Sequence, residues 1–419
     1  MEDVEIPSFF ICPISLEIMG DPVTVSTGIT YDRESIESWI YSGKNKTCPV
    51  TRQPLQADLD LTPNHTLRRL IQSWCTIHAS IGVERIPTPR PPLDRTQIVK
   101  LIDEARRAPM STMINSLGKL KEMASESERN KRCMEAAGAS HFLADVVRKA
   151  YSSTATATAL IEDSTVDWLK AGDEAITILH SILCTEEGIR ELITGNCDLI
   201  HMLTQVLRRG DYQSRTYAVL LLRDIFEEQT PENLLGIKLE VFMEMVRAIK
   251  DEISKQVTKA ALQILIRLCP WGRNSVRAAE AGSVPVLVEL LLDSSEKRMC
   301  EMILMALDLL CRCADGRAEL LRHAAGLAVV SKKMMRVSFV GTERVVRIVY
   351  SIAKSSTSAS VLQEMLQVGV VGKLCMVLQT DCNQKMKNKI REILCLHSKL
   401  WSSSPCLPHY FQVSYPSHL

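Results

Sequence analysis

Two cysteines in the first fifty residues stand where a zinc site would begin: Cys12 in "FICPISLEIM" and Cys48 in "TCPVTRQPL". Each is followed, two residues later, by a hydroxyl (Ser15 and Thr51) where a second cysteine would belong. A structural zinc ion takes four Cys or His ligands, and a two-zinc domain takes eight. No cysteine or histidine lies between Cys12 and Cys48. His65, Cys75 and His78 come later, where Leu67, Leu70, Ile71, Trp74 and Ile77 recur at steps of three and four, the period of an amphipathic helix. The expectation is a domain that keeps the frame of two metal-binding loops and uses neither metal nor any other cofactor. Hydrogen bonding is the chemistry left. Ser15 and Thr51 both donate and accept, while Asp21, Asp32, Arg33 and Glu34 offer charged partners, so these six form a candidate polar brace. Each such bond contributes about 0.5–3 kcal/mol net, so several must cooperate to replace one ion.

The elements that must position these groups are legible around them. After an apolar entry come an Asp21-Pro22 turn, a short β run with Val23 and Val25, and a turn at Gly28. An amphipathic helix should start at Asp32 or Arg33, with Ile36, Trp39 and Ile40 on one face. The polar loop "YSGKNKT" leads into the second loop, and Thr62 and Pro63 are expected as cap and first position of a final helix.

Over residues 8 to 79 the blocks "CPISLEIMGDPVTVSTGITYDRESIESWI", "TCPVTRQPL" and "LTPNHTLRRLIQSW" resemble a U-box, the metal-free relative of the RING domain of ubiquitin ligases. The resemblance implies a small α+β, RING-like fold whose two loops are braced by hydrogen bonds and ion pairs. It also implies an activity: recruitment of a conjugating enzyme charged with ubiquitin, and transfer to a substrate lysine or to the ligase itself, with no covalent intermediate on this chain. Ile14, Leu16, Trp39 and Pro49 match the family's contact positions for the conjugating enzyme. Arg52 matches the position that hydrogen-bonds both that enzyme and the tail of ubiquitin, which would orient the thioester for attack.

Beyond this domain, taken as residues 5–80, Pro87, Pro89, Pro91 and Pro92 mark 81–95 as a stiff extended linker. Helical patterns then fill 96–401. Small-residue breaks at Gly138, Gly195, Gly236, Gly282, Gly326 and Gly369 are spaced by 57, 41, 46, 44 and 43 residues. The last four spacings suit HEAT or armadillo repeats. The small-residue tract from Tyr151 to Asp167 accounts for the long first spacing as a disordered insertion. "VRAAEAGSVPVLVELL" resembles the armadillo consensus, and six or seven repeats are expected, stacked as an all-α solenoid with a groove that binds protein substrate. The order of domains resembles plant ubiquitin ligases linked to stress and immune signalling.

Armadillo repeats also serve two other functions. Nuclear import receptors hold basic peptides with Trp-x-x-x-Asn on successive third helices. None of the third helices here has it, and Trp271 and Asn274 in "PWGRN" have the wrong spacing. An adaptor with an inactive U-box is the remaining alternative, since fold alone does not establish activity.

Fifty Lys and Arg against 49 Asp and Glu give a net charge of +1, so the overall balance points to neither nucleic acid nor an anionic membrane. The acidic start "MEDVEIPSFF" lacks the pattern of a signal peptide, and no apolar run is long enough to span a bilayer. Fourteen cysteines scattered through apolar helical patterns read as reduced thiols, and a cytoplasmic and also nuclear location follows as an expectation. Thr62-Pro63 and Thr88-Pro89 fit proline-directed kinase sites. Phosphate at Thr62 would strengthen a helix cap or disturb self-association through the U-box. His141, His180, His201 and His323 lie singly, and the tail 402–419 carries no assigned role.

Overall fold

A computed structural model describes residues 6–42, 45–55, 61–79, 95–152, 162–183, 185–196, 198–356 and 358–401. Most of the linker with Thr88, the tail, and residues 153–161 of the expected insertion lie outside the described residues. The chain divides into two compact units, residues 1–146 with 166–188 and residues 147–165 with 189–419.

The first unit begins with a 3-10 turn, Ser8–Phe10, and a three-stranded antiparallel sheet of β1 (Pro22–Thr24), β2 (Thr30–Asp32) and β3 (Thr62–Pro63) in the order β2-β1-β3. The sequence suggested only the first of these strands. Val23 faces Tyr31, and Thr24 faces both Thr30 and Thr62. Gly28 closes the β1–β2 turn at φ 82°, a left-handed backbone that glycine adopts without strain. Helix α1 (Arg33–Glu37) follows β2 directly with Asp32 at its N-cap, then widens into a π-helical turn over Ser38–Ser42. Helix α2 spans His65–Ile77. Phe10, Val23, Tyr31, Ile36, Ile71 and Cys75 are buried together as the core.

One expectation is corrected here. Thr62 and Pro63 do not cap α2, because pairing with β1 draws them into β3. Asn64 is the cap instead, its Oδ1 accepting the Leu67 N–H at 3.0 Å. Proline suits this short outer strand, where its missing N–H deprives no neighbouring strand of a partner.

The helical region opens with the pair α3 (Arg95–Arg107) and α4 (Met110–Glu126). Triads follow: α5 (Glu128–Ala136), α6 (Ala139–Tyr151) and α7 (Glu162–Ile182), then α8 (Glu186–Gly195), α9 (Leu199–Arg209) and α10 (Tyr212–Glu228). In the next repeat a 3-10 turn, Pro231–Leu234, replaces the first helix ahead of α11 (Leu239–Lys250) and α12 (Lys255–Leu268). Then come α13 (Asn274–Glu280), α14 (Ser283–Asp293) and α15 (Lys297–Leu310), followed by α16 (Ala314–Arg322), α17 (Gly326–Lys333) and α18 (Phe339–Ser355). The last triad is α19 (Ala359–Gln367), α20 (Val370–Gln379) and α21 (Gln384–Leu396), closed by the short α22 (Ser398–Trp401). Gly282 and Gly369 turn the chain between first and second helices at φ 82° and 74°.

Both described ends of the tract expected as a disordered insertion are helical. Tyr151 ends α6 fully buried, and α7 is already helical from Glu162, where the Ala/Thr alternation gives way to an acidic sequence that suits a helix start.

In the second unit the repeats are tied by a recurrent device. The last turn of a third helix leaves carbonyls without intrahelical partners, and in three cases the next third helix or its C-cap residue supplies the donor. Arg267 donates to the carbonyls of Phe226 and Gln229 at 3.2 and 2.9 Å, Ser351 to Cys311 at 2.6 Å, and His397 Nε2 to Ala353 at 2.9 Å. Between α15 and α18, buried Asp308 takes both Arg344 and Arg347 at 3.0 Å. Among the described residues no single helix is long and apolar enough to cross a membrane. The bent apolar pair α19–α20 buries Met365, Val370, Val371 and Leu374 in the repeat core.

Candidate functional site

The Cys12 and Cys48 loops have the same backbone. In each, the cysteine N–H bonds the carbonyl five residues on (Glu17 or Gln53) at 2.8 Å. In each, the residue four on (Leu16 or Arg52) returns its N–H to the cysteine carbonyl at 2.9 Å. Antiparallel bridges close both, Ile11 with Ile18 and Thr47 with Pro54. Leu16 and Arg52 sit at φ 59° and 58°. A left-handed backbone on a branched or long side chain is disfavoured by about 1–2 kcal/mol, so both loops hold this strain against their closing bonds. Leu16 is 76% exposed. Arg52 is exposed as well, and its side chain makes no hydrogen bond or ion pair among the described residues.

Where a metal-binding relative would place ions, the two sulfurs accept hydrogen bonds. Cys12 Sγ takes the Asp32 N–H at 3.3 Å. Cys48 Sγ takes the Thr27 hydroxyl at 3.3 Å and pairs with the Tyr31 hydroxyl at 3.0 Å. The Tyr31 oxygen in turn accepts the Val50 N–H at 3.3 Å. Ser15 and Thr51 turn their hydroxyls to the sulfur of their own loop. Burial opposes ionisation of Cys48, yet the hydroxyls of Thr27, Thr51 and Tyr31 outweigh it and draw the thiol down to about 6. Cys12 is also lowered, its burial offset by N–H groups of Ser15, Asp32 and Ile14. Tyr31 moves the other way, raised by burial and by the Cys48 sulfur beside it.

The charged half of the brace centres on Asp21 and Asp32. Asp32 Oδ1 accepts the N–H groups of Gly20 and Asp21, both at 2.9 Å. Burial raises its pKa, and these N–H groups and those at the start of α1 oppose the rise. Asp21 bonds Arg33 Nε at 2.6 Å through one oxygen and Arg68 of α2 through the other. Arg33 also reaches Glu37 at 3.7 Å. Glu34 enters through its backbone: its carboxylate is exposed, while its N–H faces Asp32.

A groove of about 720 Å³ opens between the first loop and α1, lined by Ile14, Ser15, Ile18, Ser38, Trp39 and Asn45 among others. Trp39 Nε1 donates to the Thr47 carbonyl at 2.9 Å, which fixes the indole against the second loop. Asn45 closes the corner by donating to the Trp39 carbonyl at 3.1 Å. Ile14 and Trp39 thus share one cleft. Leu16, Pro49 and Arg52 lie outside its lining, on the two loops. Thr62 is exposed on β3.

Sequence reasoning missed several members. Tyr31, Thr27 and Arg68 carried no short-range signal, since they meet their partners only across the fold. The spacing of Cys12 and Cys48 carries no signal that their sulfurs join the brace as hydrogen-bond partners. Val50, 53% exposed, could have been found: the repeated Cys-Pro-(Ile/Val)-(Ser/Thr) pairs it with Ile14. Asn274 of the "PWGRN" segment is fully buried and donates to the carbonyls of Leu234 and Leu268.

Among the described residues no group of three or more His, Cys, Asp or Glu is placed to hold a metal ion. Paired loops braced by hydrogen bonds and ion pairs beside a cleft that holds Ile14, Ile18 and Trp39, followed by triads of helices, define a U-box with armadillo repeats. The U-box domain family matches residues 6–80, and the family described as the plant U-box protein ARM repeat region matches 97–417. E3 ubiquitin-protein ligase PUB23 of Arabidopsis thaliana is 49% identical over 99% of this chain and 98% of its own. PUB22 from the same plant is 46% identical over 99% and 100%. A structure solved in work on the interaction between cadherin and beta-catenin aligns over 80% of this chain and 57% of its own, at TM-score 0.56 and 13% identity, a likeness of fold. The chain belongs to the plant U-box/armadillo-repeat ubiquitin-protein ligases, RING-type ubiquitin transferases.

Proposed function

We propose that the cleft between the first loop and α1 receives an apolar loop of a ubiquitin-charged conjugating enzyme, and that the armadillo repeats bring the substrate. The carrying observation is the cleft itself: Ile14 and Trp39 line it, the indole held by Thr47. Leu16 and Val50 offer exposed apolar surface on the two loops. An aromatic anchor beside aliphatic surface is the composition of an interface hot spot. Arg52, exposed and with a side chain unpaired among the described residues, would donate to the conjugating enzyme and the ubiquitin tail together, holding the thioester in an attack-ready geometry. The chain then contributes position rather than a nucleophile, and lysines of substrate or of the ligase itself accept ubiquitin.

On the same proposal the chain regulates plant stress or immune signalling in the cytoplasm and also the nucleus, a reading that rests on the order of U-box and armadillo repeats. Exposed Leu70 and Ile77 on α2, with Phe9 on the entry turn, supply an apolar surface for U-box self-association. Thr62, exposed on the outer strand β3, and Thr88 are the sites for a proline-directed kinase acting on that association. Self-ubiquitination with a panel of conjugating enzymes tests the reading. Ile14→Ala, Trp39→Ala and Arg52→Ala should each reduce it at least tenfold; full activity in all three refutes the assigned interface.

A further inference from the structure

A second groove, of about 680 Å³, crosses α10, α12, α15 and α18 within the second unit. One stripe of each helix lines it: Arg223 and Glu227 of α10, Lys259 and Arg267 of α12, Arg298 and Met302 of α15, Arg344 of α18. The intervals of three and four residues put each set on one helix face. Cationic side chains dominate this lining, with Glu227 and Glu301 as the acidic members.

The cations fall into two kinds. Arg223 is paired with Asp224 at 2.6 Å, and Arg344 with buried Asp308. Arg267 spends its donors on neutral carbonyls, so its charge is not cancelled. Lys259 and Arg298 are exposed and have no ion pair or hydrogen bond among the described residues. Between these charges lies an apolar floor of Ile266, Met302 and Met305, with Trp271 at the end of α12. Methionine side chains adapt to aliphatic groups of varied shape.

We infer that this groove binds an extended acidic peptide segment with a central aliphatic residue, its carboxylates on Lys259 and Arg298 and its aliphatic side chain over Met302 and Met305. Charge complementarity selects the occupant, because unpaired cations flanking an apolar floor disfavour a basic segment and leave a neutral one without polar partners. The size agrees. Three helix-to-helix steps of about 8–10 Å span roughly 27 Å, and an extended chain at about 3.3 Å per residue covers that in about eight residues. Lys259 and Arg298, one step apart, then match acidic residues about three positions apart. This inference rests on the reading that the repeats bind substrate and names the chemistry they select.

The test is fluorescence anisotropy on the full chain with a labelled ten-residue peptide carrying Leu between Asp and Glu residues. Lys259→Glu with Arg298→Glu should weaken binding at least tenfold, and raising salt from 50 to 500 mM should weaken it in the wild type. Replacing the acidic residues by Lys, or Leu by Ser, should abolish binding. Circular dichroism and self-ubiquitination should match the wild type, since both substituted side chains are exposed and distant in sequence from the U-box. Equal binding by the double variant, or by the Lys peptide, overturns the proposal. So does a phosphoserine peptide binding tenfold tighter than its Asp counterpart, or an RNA oligonucleotide binding as well as the acidic peptide. Absent peptide binding with self-ubiquitination intact defeats this inference alone, whereas absent self-ubiquitination defeats the ligase reading whatever the peptide does.

Discussion

Leu16 and Arg52 hold left-handed backbones that glycine would adopt freely, and both are exposed. Such strain persists where the exposed side chain has a use. Leu16→Gly should therefore stabilise the U-box by about 1 kcal/mol while weakening conjugating-enzyme affinity, read as a raised denaturation midpoint beside a raised Kd. A second prediction concerns Cys48. Its folded pKa, about 6, lies below the ordinary 9.0, so its contribution to stability is full above pH 9 and is lost as pH falls through 6. The stability difference between wild type and Cys48→Ser should rise from pH 6 to pH 9, and thiolate absorbance near 240 nm assigned to Cys48 should have its midpoint near 6. At this scale the sequence showed which positions had lost metal ligands. It could not show that the remaining sulfurs accept hydroxyl bonds, because Thr27 and Tyr31 reach Cys48 only once the β1–β2 hairpin has folded.

Elements were legible where a period or cap was local. Helix α2 showed itself by Leu67, Ile71 and Trp74, and α1 by Asp32 and Ile36. Strands β2 and β3 were not, since three- and two-residue strands have no period and owe their existence to pairing with β1. The cap of α2 shifted for that reason. Asn64→Ala should cost about 1 kcal/mol, while Thr62→Ala leaves α2 intact, a contrast that thermal unfolding of the two variants would reveal. Asp21 joins α1 to α2 through Arg33 and Arg68, so Asp21→Ala should cost about 1–3 kcal/mol by removing the carboxylate of Arg68 and leaving Arg33 only its longer contact with Glu37.

On the scale of the whole molecule, the repeat period was visible in small-residue breaks because each triad needs a tight turn between its first two helices. The ties between repeats were not, since Arg267, Ser351 and His397 reach carbonyls about forty residues upstream. The groove chemistry was equally hidden: it depends on which cations spend their charge inside the stack and which, like Lys259 and Arg298, face outward. The central claim is that the U-box positions a charged conjugating enzyme through its cleft and orients the thioester with Arg52. Single-turnover discharge of ubiquitin from that enzyme onto free lysine, titrated with full chain, tests it most directly. Trp39→Ala should require far more protein to reach saturation, while Arg52→Ala should saturate with a rate at least tenfold lower. Wild-type saturation and rate in both variants would contradict the account.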